Sequence, residues 1–107
     1  MNKIINKENI TSIVMKPTAY VKCCIGQDWF KNELEITFIP YECYPDYIQV
    51  RDWIMNNIDG REMNIEQVVS EIYNMLVNEY NPSYLRVAAN IVDSNSHFDV
   101  IVTKSMK

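Results

Sequence analysis

Alternating apolar and polar residues dominate both ends of the chain, and helical spacing occupies its middle. From Ser12 to Cys24 the residues favour strand, with Ile13, Val14, Tyr20 and Val21 among them. Pro17 lacks an N–H and so marks an edge position, a bulge or a break there. Gly26-Gln27-Asp28 reads as a turn. Glu33 to Phe38 then alternates strictly, with Leu34, Ile36 and Phe38 on one face and Glu33, Glu35 and Thr37 on the other, until Pro40 ends the run. The two segments predict an antiparallel hairpin. Residues 1–10 read as a polar, frayed lead-in and residues 11–107 as a single domain.

Helical signals follow. Pro45 suits a first helical turn, Asp46 favours its positive end, and Ile48, Val50, Trp53 and Ile54 form a short, imperfect apolar stripe that Asp59-Gly60 stops. The second helix is the clearest element. Asn64 and Gln67 have capping-box spacing, Ile65, Val68, Val69, Ile72 and Leu76 follow a helical period, and Asn81-Pro82 closes it. Two more strands are predicted, one with Leu85, Val87, Ala89 and Ile91 on a common face and one from His97 to Thr103 with Phe98, Val100 and Val102 together. Asp93-Ser94-Asn95-Ser96 turns between them. The order strand, strand, helix, helix, strand, strand predicts an α+β fold: an antiparallel four-stranded ββααββ sheet with two helices on one face. Its edge strands, with Val14, Tyr84 and Ile101 on the second face, predict assembly with copies of the same chain through sheet edges.

Composition narrows the classes. The 107 residues are 48% hydrophobic and 22% charged, as expected of a folded domain rather than a disordered one. No run approaches the roughly 20 apolar residues of a membrane helix, and the first residues have no signal-peptide pattern, so a cytoplasmic protein without a membrane partner is expected. The net charge of -4, with scattered Lys and Arg, argues against a nucleic-acid partner. Cys23, Cys24 and Cys43 read as free thiols. Adjacent Cys23 and Cys24 would point to opposite faces of a strand, and no metal is expected because the lone His97 is distant and no Cys-x-x-Cys pair exists.

Four stretches carry a family resemblance: Gly26-Gln27-Asp28-Trp29-Phe30, Glu35-Ile36-Thr37-Phe38-Ile39-Pro40, Ile65-Glu66-Gln67-Val68-Val69-Ser70-Glu71-Ile72 and Asn81-Pro82-Ser83-Tyr84-Leu85-Arg86-Val87. With the element order, they resemble the tunnelling fold (T-fold), and within it most nearly the 7-cyano-7-deazaguanine reductase (QueF) family of queuosine biosynthesis and its QueF-like relatives. The resemblance implies a planar purine-like or pterin base bound at a subunit interface, with Glu66 at the start of the second helix accepting its N–H groups. For a reductase it further implies a cysteine thiolate, Cys24 or Cys23, adding to a nitrile as a thioimide, Asp28 handling the proton, and NADPH supplying hydride.

This sequence departs from that pattern in three places. Cys24 lies four residues before Asp28 and Cys23 five, in a shorter loop than the family's, and Ile65 stands where the family has a histidine beside the anchoring glutamate. The run that would hold NADPH, Asp46 to Trp53, keeps only an acidic start, an apolar position, one basic residue and an aromatic. A purine- or pterin-binding assembly module without catalysis is therefore an equally open expectation. A pterin aldolase of the same fold is a third, wanting a lysine near the ring, with Lys22 and Lys104 as candidates. Each residue also has a plainer role. Glu66 is an acid favoured by the helix dipole, Cys24 a small hydrophobe, Asp28 a turn former, Lys104 a solvated terminal charge and the aromatics Trp29, Phe30, Tyr44, Tyr47 and Trp53 packing groups.

Overall fold

Eleven consecutive extended residues, Trp29–Ile39, organise the molecule. The computed structural model describes residues 1–93 and 98–106, which form β1 (Lys3–Ile5), β2 (Ile13–Met15), β3 (Thr18–Lys22), β4 (Trp29–Ile39), β5 (Cys43–Pro45), α1 (Tyr47–Asn57), α2 (Ile65–Tyr80), β6 (Tyr84–Asp93) and β7 (Phe98–Ser105). β4 is the long central strand. Along one side it pairs first with β3 and then with β2, both antiparallel, and along the other with β6, which in turn pairs with β7. The first predicted strand is thus two short ones, and the sheet has four positions across. The break falls at Lys16-Pro17, where proline has no ladder N–H to give, although the Pro17 carbonyl still accepts the Leu34 N–H at 2.9 Å.

Register explains the faces. Phe38 lies opposite Leu85 and Ile13, Ile36 opposite Val87 and Met15, and Leu34 opposite Ala89. Leu34, Ile36 and Phe38 of β4 and Leu85, Val87 and Ala89 of β6 are buried, under Val68, Val69, Ile72 and Leu76 of α2 and Val50 and Ile54 of α1. The α2 stripe is the one read from the sequence. In α1 only part of it holds: Val50 and Ile54 are buried, while Ile48 is exposed. Pro45 belongs to β5 rather than to the helix, and Asp46 is the N-cap, its carboxylate accepting the Ile48 N–H at 3.0 Å. The Asn64–Gln67 capping box closes both ways, at 2.8 and 3.0 Å. Asn81 ends α2 in the left-handed conformation, which asparagine tolerates better than most residues.

The N-terminal residues do more than lead in, since Lys3–Ile5 pairs antiparallel with β5 in a separate two-stranded ladder. His97 and the Ser94–Ser96 part of the expected turn lie outside the described residues. Among the described residues no helix is long and apolar enough to cross a membrane.

Tyr80, 3% exposed, meets Phe38 edge-on with ring centroids 6.2 Å apart. Burial, aided by the nearby Glu79 carboxylate, pushes its phenol up to about 12. The neutral phenol is then favoured in the folded chain, while the unfolded chain ionises from its ordinary value of 10.0. Stability from this group is full below pH 10 and falls as pH rises from 10 towards 12. Urea titrations across that window should show the decline in the native chain and a smaller one in Tyr80→Phe.

Candidate functional site

Cys23 and Cys24 are not on a strand. β3 ends at Lys22, and residues 23–28 form a tight connection to β4 in which the Cys23 N–H donates to the Asp28 carbonyl at 2.8 Å and the Gln27 N–H to the Cys23 carbonyl at 3.0 Å. The expectation that Cys23 and Cys24 point to opposite strand faces is therefore corrected. Cys23 is half-buried, its Sγ accepting the Gly26 N–H at 3.4 Å, and Cys24 is exposed. Gln27 holds the left-handed backbone conformation with φ 63°, which is costly for a residue with a Cβ and needs its surroundings to hold it.

Those surroundings are the approach to α2. The Gln27 side-chain amide donates to the Cys24 carbonyl and to Glu62 Oε1, each at 3.2 Å. The Lys22 N–H donates to the Arg61 carbonyl at 2.9 Å, and the Met63 N–H returns to the Lys22 carbonyl at 3.0 Å. One residue on, Asn64 caps α2, and Glu66 sits exposed in its first turn, where the helix dipole favours a carboxylate. Backbone pairing therefore brings the turn bearing Cys23, Cys24 and Asp28 and the helix start bearing Glu66 to the same end of the sheet. Sequence reading missed this link, because Gln27 and Glu62 are 35 positions apart and no local pattern joins them. Among the described residues no hydrogen bond connects the Asp28 carboxylate to either thiol. Cys43 lies elsewhere, buried, with its Sγ on the Tyr80 carbonyl at 3.7 Å.

A second feature adjoins Glu66. Helical spacing sets Glu66, Ser70 and Tyr73 along one flank of α2, beside the core stripe. On β7, the edge strand under that flank, Lys104 is half-buried, its Nζ donating to Ser70 Oγ at 3.1 Å and lying 4.9 Å from the Tyr73 ring centroid. Lys104 is thus no solvated terminal charge. Lys22 lies at the end of β3, opposite Trp29.

The run with the position of a reductase's NADPH segment does not fit that cofactor. Asp46 to Trp53 is the α1 cap and helix. Its carboxylates, Asp46 and Asp52, outnumber its one cation, Arg51, whose guanidinium lies 3.0 Å from Asp52. A polyphosphate would meet net negative charge there. Among the described residues no three His, Cys, Asp or Glu side chains are grouped to hold a metal ion. Elsewhere, a groove of ≈ 410 Å³ lies on the helix-free face, lined by Lys16, Glu33, Glu35, Arg86, Ala88 and Asn90 among others.

No family model matches the chain, and no curated protein matches it. Solved structures do. The apo form of the archaeosine synthase QueF-Like superposes with a TM-score of 0.81 at 17% identity, covering 90% of this chain and 93% of that one. A protein assigned as dihydroneopterin aldolase (FolB) from Vibrio cholerae O1 biovar El Tor str. N16961 gives 0.68 at 15% identity, covering 91% and 98%. At these identities what is shared is the fold. The chain is an α+β protein with the tunnelling fold, and its likeness to QueF-like proteins, first seen in four short stretches of sequence, extends over nearly the whole architecture.

Proposed function

We propose that this protein binds a planar purine- or pterin-like base through the Glu66 carboxylate, at a site completed by another copy of the chain. The observation that supports it is the clamp between the 23–28 turn and the start of α2, which sets Glu66 and the cysteine turn at one end of the sheet. A carboxylate only accepts hydrogen bonds, so it selects a ring edge with N–H donors in a row. Glu66 and Cys24 are exposed in the single chain, and β7 is an edge strand whose Phe98, Val100 and Ile101 are exposed as well. A second copy covering that edge would bury apolar surface and enclose the base. The structures titled archaeosine synthase QueF-Like and dihydroneopterin aldolase supply the ligand class by analogy.

Binding without reduction is the form of this reading that the α1 segment favours, since its charge does not suit NADPH. Thioimide formation at Cys24 needs no cofactor. The thiol adds across the nitrile carbon, the sulfur–carbon bond forms, the nitrile nitrogen takes the proton, and nothing leaves.

Calorimetry with guanine and with 7-cyano-7-deazaguanine tests both parts. Glu66→Ala should weaken binding by roughly 10- to 100-fold, the range for losing hydrogen bonds to a charged acceptor. Intact mass after incubation with the nitrile should rise by one whole ligand, and not in Cys24→Ala, if the thiol reacts. Binding without that adduct leaves the non-catalytic form, and no binding at all ends the proposal. Light scattering at micromolar concentration should give a mass above that of one chain, and a monomer would exclude a shared site.

A further inference from the structure

We infer that Lys104, held by Ser70 and Tyr73, is the specificity-determining residue for an oxo group on the bound base, an inference that rests on the reading of Glu66 above. An ammonium carries three donors and accepts nothing. One donor is given to Ser70 Oγ at 3.1 Å, and the cation lies 4.9 Å from the centre of the Tyr73 ring, whose face attracts positive charge. Among the described residues no carboxylate lies within 4 Å of Lys104 Nζ, so its charge is fixed in place without being neutralised.

Position gives this donor a use. Ser70 follows Glu66 by one helical turn on the same flank, about 6 Å along the axis. A ligand along that flank meets first a carboxylate that wants two N–H donors and then an ammonium that wants an acceptor. The edge that presents two donors and then a carbonyl oxygen is that of 2-amino-4-oxo rings, as in guanines and pterins. Ser70 and Tyr73 are positioning residues, acting through Lys104 and not on the ligand. Packing Lys104 against α2 solely to close the sheet edge is the competing account, and it gives the ammonium no role in choosing a ligand.

6-Thioguanine separates the two accounts, because it keeps both N–H donors and replaces the oxygen by the weaker acceptor sulfur. The native chain should bind guanine about tenfold more tightly than 6-thioguanine, and Lys104→Met should bring that ratio close to one while circular dichroism stays native. Ser70→Ala, which removes only a hydroxyl, should lower the ratio part-way, and it decides the matter should Lys104→Met not fold. An unchanged ratio in folded Lys104→Met, or in Ser70→Ala when that variant decides, with Glu66→Ala still weakening guanine binding about tenfold or more, overturns the role of Lys104 and leaves the base-binding reading standing. Guanine binding left unchanged by Glu66→Ala overturns both.

Discussion

Replacing Phe38 by alanine is expected to cost about 3–5 kcal/mol, the range for removing a large buried aromatic ring. The ring is fully buried, lies between Leu85 on β6 and Ile13 on β2 in the sheet, and receives Tyr80 of α2 edge-on. It touches three elements at once, so no single neighbour can move into the space without giving up its own contacts. The edge-on aromatic pair adds about 0.5–1.5 kcal/mol beyond burial, which places the loss towards the upper part of that range. Urea denaturation followed by fluorescence measures it, and a loss under about 1 kcal/mol would show that the space refills. For a domain of this size the difference is a large share of total stability, so the variant should also melt well below the native chain.

Asn32→Asp should be comparably damaging, and its cost should depend on pH. Asn32 is the polar residue in the buried layer, 0% exposed on the core face of β4. Its amide nitrogen donates to the Ala19 carbonyl at 3.4 Å, and among the described residues its Oδ1 has no partner. Aspartate has nearly the same shape but turns the donor into a second acceptor facing that carbonyl. An ionised carboxylate at this depth is unpaired and costs several kcal/mol, so the group takes a proton instead and its folded pKa rises. Since the folded value lies above the unfolded one, the variant is least damaged at low pH and loses stability as pH rises above the ordinary carboxylate range. Urea midpoints measured from pH 4 to pH 8 should diverge steadily from those of the native chain. Asn32→Leu tests the cause, because it removes the unpartnered oxygen while keeping the same branching and number of heavy atoms, and it should be close to neutral or stabilising. A large loss in Asn32→Leu would mean that the bond to Ala19 matters more than the orphaned oxygen.

What the sequence determined is what short-range periodicity can express. Leu34, Ile36 and Phe38 at a period of two, and Val68, Val69, Ile72 and Leu76 at helical spacing, each describe a single element with one face to bury, and the structure buries those faces against each other. The Asn64–Gln67 box and the Asn81-Pro82 stop are likewise written within a few residues. Periodicity faltered where an element is held from outside itself. Lys3–Ile5 is a strand because β5 pairs with it, and Pro45 is extended because β1 does. Cys23 and Cys24 leave the strand pattern because the chain at residues 23–28 turns, fixed by bonds to residues 61–63 that no local rule foresees.

The candidate site divides in the same way. Glu66, Ser70 and Tyr73 are visible in the sequence as members of one helical flank, since their spacing is a property of the helix alone. That Lys104 meets them follows from β7 lying beside β6 with Lys104 opposite Val87, a choice of strand order and register. That Glu66 lies at the same end of the sheet as the cysteine turn follows from β3's free edge being closed by the loop before α2. The hydrophobic pattern fixes which face of each element is buried. Only the hydrogen bonds between elements distant in sequence decide which exposed side chains become neighbours, and this chain's candidate chemistry lies among those neighbours.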